Sequence, residues 1–208
     1  GKAVPDKFGD MLGIFSDVML DAQLSNRARF KQMALEEKAG FEARLVPGGN
    51  GIVDTRIKAG LTEAGWISEQ MSGVSYGQFL KGLVKRIDSD WDSVEAALNA
   101  IRERLFNRSR MVINLTADDS MRADAEAALA GFAGGVPDRA VADANWSHSF
   151  EPKNEGLIIP AQVNYVGKGA NLKALGISLR ASSAVALRLL NTTYLWDKGR
   201  AEGGAYGG

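Results

Sequence analysis

Residues 110–117 read RMVINLTA, and the class of the whole chain turns on this run. Met111, Val112, Ile113 and Leu115 crowd apolar and β-branched side chains into a space too short for a helix, the pattern of a buried strand. The spacing predicts a strand over Arg110–Thr116, and a strand requires a sheet beneath whatever surrounds it. On its N-terminal side the period is helical throughout. Phe8, Met11, Leu12, Phe15, Val18 and Met19 form one amphipathic stripe, a helix from about Asp6 to Gln23. Ser25 or Asn26 can cap a second helix through Phe30, Met33, Ala34, Phe41 and Leu45 to the breaker PGGNG, and these first two helices are expected to pair. A third follows Gly51 through Ile52, Ile57 and Leu61 to Gly65, and two more have Ser75 and Ser89 as expected caps.

Beyond the run, residues 117–132 return to helical period. A turn-rich stretch over 133–156 reads as a connection between domains, with the boundary at Gly134 to Asn154. GLIIPAQVNYVGKG, residues 156–169, is strand-like, with Pro160 marking an edge or bulge. SSAVALRLLNTTYLW, residues 182–196, is a helix, and the closing glycines turn the chain toward a further strand. The expected class is therefore α+β: antiparallel-rich sheets covered by helices, with a helix-rich first lobe.

Composition excludes several functions. The 208 residues carry 25 Lys and Arg against 25 Asp and Glu, so no net field attracts nucleic acid or anionic lipid. There is no cysteine, which excludes thiol chemistry and thiolate zinc sites. No apolar stretch has the length of a membrane span, and neither nucleic acid nor membrane is an expected partner. Gly1 in place of a methionine, with an ending in mid-pattern, reads as a piece of a longer polypeptide. His148 is the only histidine and sits in the polar connection, so no metal site can be built from it. GGNG at 48–51 and GKGA at 167–170 lack the order of a phosphate loop and read as a helix start and a turn. Sequons at Asn107, Asn114, Asn145 and Asn191 read as accidental, and Trp66, Trp91, Trp146 and Trp196 as structural fillers.

The last residues are different. RAEGGAYGG, residues 200–208, sets a cation and a phenol around a glycine pair, which lets backbone turn sharply or approach another group. That arrangement points to a site.

Four segments in order, GLTEAGWISEQMSGVSYGQFL (60–80), MVINLTAD (111–118), PAQVNYVGKGANL (160–172) and YLWDKGRAEGGAYGG (194–208), resemble the presequence proteases. These are pitrilysin-type zinc metallopeptidases of mitochondria and chloroplasts, and the likeness is to the plant and algal branch. The resemblance implies a large enzyme of two similar halves closing on a chamber that admits peptides and excludes folded proteins. It implies that this chain is the middle of the C-terminal half: residues 1–140 the helix-rich part of the third pitrilysin-like domain, 141–154 a linker, and 155–208 the start of the fourth. The substrates implied are cleaved targeting presequences and other short unstructured peptides, in the mitochondrial matrix or chloroplast stroma. The family's zinc motif, His-x-x-Glu-His, belongs to the N-terminal half, the implied partner of this chain, and does not occur in these residues. The fragment alone is expected to be inactive.

The family pattern Arg-x-x-Gly-Gly-Ala-Tyr-Gly falls on Arg200, Gly203, Gly204, Ala205, Tyr206 and Gly207. It implies substrate binding by Arg200, Gly203 and Gly204 and a catalytic role for Tyr206, whose phenol would stabilise the oxyanion of peptide hydrolysis. Gly199 stands where relatives carry a bulkier aliphatic residue, so the helix before Arg200 is expected to fray early. Two other readings remain open: a non-catalytic peptide-binding or scaffold relative lacking the zinc half, and a plain helix cap for Arg200 with Tyr206 packed under a loop.

Overall fold

Asn26 ends one helical segment and starts another, and its carboxamide oxygen accepts the Arg29 N–H at 3.0 Å. Such local choices build most of the architecture in the computed structural model, which describes residues 1–140, 142 and 154–206. By contact clustering the chain divides into two units, Gly1–Val166 and Gly167–Gly208.

In the first unit a 3-10 turn over Pro5–Lys7 leads into α1 (Phe8–Ser16), which winds on as a π-turn over Asp17–Asp21. Then come α2 (Arg27–Leu45), α3 (Gly49–Ala59), α4 (Glu63–Ser72), α5 (Val74–Ser89), α6 (Trp91–Leu105) and α7 (Arg122–Gly135). The expected third helix divides in two. Gly60, Leu61 and Thr62 break it, and the Thr62 hydroxyl accepts the Gly65 N–H at 3.1 Å to start α4. Asp90, one residue past the expected Ser89, caps α6 through the Ser93 N–H.

The core lies where α2, α5 and α6 meet. Ile87 is fully buried there with Ala34 and Val94, and Phe30, Leu83 and Trp91 close over them. Phe30 and Trp91 meet with ring centroids 5.9 Å apart, and the Trp91 indole N–H donates to Glu95 at 2.9 Å. The expected pairing of the first two helices is not what forms: α1 packs on α7, and α2 packs on α5. The stripes of α1 and α2 are both apolar enough to pair, but the α5 stripe offers α2 a longer matching face.

The α+β expectation is overturned, because no residue among those described belongs to a strand or sheet. The run 110–117 begins with a 3-10 turn over Arg108–Arg110 and continues as unpaired extended chain, with Met111 at φ −85°, ψ 135°. Val112, expected in a buried strand, is 94% exposed, and Ile158 of the second strand-like run is fully exposed. The physical reason is that apolar, β-branched composition favours an extended backbone but supplies no neighbour, and a strand exists only through ladder bonds to one. The first run is held at its start instead. Asn107 is buried, and its side chain accepts the Arg139 N–H at 3.1 Å and donates to the Arg139 carbonyl at 2.7 Å, while the Arg108 N–H donates to the Pro137 carbonyl at 2.9 Å. Those bonds occupy the carboxamide that a glycan would need.

Residues 154–166 lie against α3. Tyr165 donates its hydroxyl to the Val46 carbonyl at 2.7 Å, and its ring lies so close over Gly49 that any Cβ there would overlap it.

The second unit holds α8 (Ala181–Thr192) and a π-helix over Trp196–Glu202. The expected linker over 141–154 and His148 within it lie almost wholly outside the described residues, as does Gly207.

Candidate functional site

Arg200 sits on the π-helix, four residues after Trp196. That spacing sets its guanidinium over the indole, 4.6 Å from the ring centroid, and the phenol ring of Tyr206 approaches to 5.8 Å. Arg200 is thus held between two aromatic rings. Single-turn π-segments place side chains where an α-helix would not, and they recur at functional sites. The helix does not stop at Gly199, where fraying was expected, but runs through Glu202. It then closes in a Schellman-like turn widened to suit the π winding: the Gly204 N–H donates to the Arg200 carbonyl at 3.2 Å, and the Ala205 N–H donates to the Gly199 carbonyl at 3.0 Å. Gly204 makes that closure possible at φ +69°, a conformation a side chain would strain. The turn brings Tyr206 back toward Arg200. It does so without a strand, since Tyr206 lies in a bend.

The charges around this cluster leave Arg200 available. Among the described residues no carboxylate pairs with its guanidinium. Glu202, the nearest acid in sequence on its C-terminal side, is held by Lys198 through both oxygens at 2.8 and 2.7 Å. Tyr206 is 97% exposed and Trp196 half-exposed, so the rings and the cation face solvent rather than a core. An exposed guanidinium with open donors can grip a carbonyl or carboxylate in two-pronged fashion, and an exposed phenol can donate to a developing oxyanion.

The expected site residues Arg200, Gly203, Gly204 and Tyr206 therefore come together in one turn and a half of chain. Trp196, read from sequence as filler, joins them, and its four-residue spacing from Arg200 was the signal that could have found it.

A second charged cluster lies in the first unit and has the opposite character. Arg56 of α3 donates Nε and Nη2 to the two Glu155 oxygens at 2.8 and 2.6 Å, and Nη1 lies 2.9 Å from Glu69. Glu69 of α4 is 1% exposed, and it also accepts the Ser75 N–H at 2.9 Å and the Gln70 amide at 3.1 Å. The bond to Ser75 makes Glu69 the acceptor for the first turn of α5, the part expected of Ser75 itself. Burial pushes the Glu69 carboxyl up, but Ser75 and the Arg56 guanidinium together outweigh it and hold the group below its ordinary value. Arg56 is raised, chiefly by its hydrogen bond to Glu155. Every member of this triad is engaged, so the arrangement fixes structure and has no donor left for a ligand.

A catalytic zinc ion does not fit the residues present. With one histidine and no cysteine in the sequence, and no group of three His, Asp or Glu side chains converging among the described residues, the chain lacks a ligand set.

Residues 1–83 match a family model described as associated with the peptidases of metallopeptidase subfamily 16C, and residues 154–208 match the PreP C-terminal domain. Presequence protease 1, chloroplastic/mitochondrial, of Arabidopsis thaliana is 36% identical over 100% of this chain and 19% of its own length. The chain belongs to the presequence-protease family. Protein HypA of Clostridium perfringens is 24% identical over 99% of the chain and 21% of its own, and the mitochondrial presequence protease of Gibberella zeae is 25% identical over 86% and 18%. The chain thus spans about a fifth of the length of these relatives. The Arg200 cluster lies inside the PreP C-terminal match, and the triad joins the two matched segments, Arg56 and Glu69 in the first to Glu155 in the second.

Proposed function

We propose that this chain is the substrate-holding portion of a zinc metalloendopeptidase that degrades cleaved targeting presequences and other short unstructured peptides. The observation that carries the proposal is the exposed guanidinium of Arg200, flanked by two rings and unpaired by any described carboxylate, in a segment matching the PreP C-terminal domain. Residues 1–140 belong to the third domain of that enzyme and 155–208 to the fourth, with 141–154 between them. The N-terminal half supplies the zinc ligands and closes with this half around the peptide. The enzyme works in the mitochondrial matrix or chloroplast stroma, in keeping with the names of its plant and fungal relatives. Peptide is the partner, not nucleic acid or lipid: opposite charges balance over the sequence, and among the described residues no helix is long and apolar enough to cross a membrane.

Within this reading Arg200 takes a backbone carbonyl or a carboxylate of the peptide with two donors, fixing its register, and its charge persists at any working pH. Gly203 and Gly204 carry the turn that lets the peptide backbone approach. Tyr206 donates its hydroxyl proton in a hydrogen bond to the scissile carbonyl oxygen as that carbon becomes tetrahedral. Charge develops on the oxygen only in the transition state, so this contact accelerates the reaction rather than tightening substrate binding.

The test is steady-state kinetics of the full-length enzyme on a short fluorogenic peptide. Tyr206→Phe is expected to lower kcat by about a hundredfold with little change in KM, zinc content or melting temperature. Near-normal turnover in the folded, zinc-loaded variant would remove Tyr206 from the mechanism.

A further inference from the structure

We propose that Trp196 is a positioning residue, whose indole face holds the Arg200 guanidinium in the orientation that receives peptide. This rests on the reading of Arg200 as the substrate holder.

The tryptophans of the two units behave differently. Trp91 packs against Phe30 and donates its N–H to Glu95, as a structural tryptophan should. Trp196 is 50% exposed, and among the described residues its ring contacts only the guanidinium of Arg200. A large indole left half in water contributes little as core, so its effect must come through the cation above it.

The physical gain is preorganisation. Arginine has a long flexible stem, and fixing it on binding costs rotamer entropy that is subtracted from affinity. A guanidinium already stacked on Trp196, with Tyr206 on its other side, has lost much of that freedom beforehand. Stacking uses the π-face of the cation and leaves the N–H edge free for a carbonyl or carboxylate. Without the indole, Arg200 is free to swing toward Asp197, one residue beyond Trp196.

The experiment is a double-mutant cycle in the full-length enzyme, read as KM and kcat on a short fluorogenic peptide, with melting curves to confirm folding. Trp196→Leu, which keeps apolar volume and removes the π-face, is expected to raise KM about two- to fivefold with kcat unchanged. Trp196→Phe is expected to keep KM within about twofold of the parent. Trp196→Leu added to Arg200→Ala is expected to raise KM no further, because its effect passes through the arginine. A Trp196→Leu enzyme with parental KM, or a penalty that persists undiminished in the Arg200→Ala background, would overturn the positioning role. If Arg200→Ala itself leaves KM unmoved, the substrate-holding reading falls and this inference falls with it; a persistent Trp196 penalty beside a large Arg200→Ala effect overturns this inference alone.

Discussion

Arg56 and Arg200 carry the same charge on the same kind of stem, in the two units of the chain, and their surroundings are opposite. Arg56 spends its donors on Glu155 and Glu69, with Glu69 almost wholly buried. Arg200 spends nothing on a described carboxylate and lies in the open between Trp196 and Tyr206. A guanidinium saturated by carboxylates is a structural tie, because a ligand would have to displace bonds already made. One that rests on aromatic faces is oriented yet keeps its donors open. The pair shows that charge and position in sequence do not mark a binding arginine, whereas the chemistry of its neighbours does.

The largest expected effect on stability belongs to the tie. Glu69→Ala leaves Arg56 with one partner and strips the acceptor from the first turn of α5, so the enzyme should lose about 3 kcal/mol of stability while the folded fraction keeps its KM. The same residue sets an acid sensitivity. Because the folded carboxyl lies below its ordinary value of 4.5, its contribution is complete at neutral pH, fades below about that unfolded value, and is gone once pH falls past the folded one. Melting curves of parent and Glu69→Gln should therefore differ at pH 7 and converge in acid; a gap that widens on acidification would reverse the assignment. A smaller effect is expected where residues 154–166 meet α3. Gly49→Ala, whose Cβ would overlap the Tyr165 ring, should cost about 2 kcal/mol, and Tyr165→Phe, which removes only the bond to Val46, about 1 kcal/mol. Thermal unfolding of each variant, with parental kinetics at low temperature, checks both.

What sequence could show here follows from range. Helices are local, so the stripe from Phe8 to Met19 and the cap at Asn26 were legible, and the misses were of one or two residues, as at Ser89 and Asp90. Tertiary choices were not. Nothing in the α1 stripe says that α7 rather than α2 will cover it, and nothing in RMVINLTA says whether a second backbone will lie alongside. The Glu69 tie was hidden for the same reason: its partners Arg56 and Glu155 stand 13 residues before it and 86 after it (69 − 56 and 155 − 69). Arg200, Gly204 and Tyr206 were legible because their motif is short and its glycine sits where the backbone needs φ +69°. Trp196 was missed because a tryptophan on a helix is more often core.

The contrast between the two arginines is tested most directly by removing each in the full-length enzyme and measuring both peptide KM and melting temperature. Arg200→Ala should raise KM about tenfold with the melting temperature of the parent, and Arg200→Lys should restore little of the loss, since an ammonium cannot make the two-pronged contact. Arg56→Ala should lower the melting temperature by several degrees and leave the KM of the folded enzyme unchanged. An Arg200→Ala enzyme that melts early yet binds peptide normally would contradict the account and make Arg200 a structural residue of its turn.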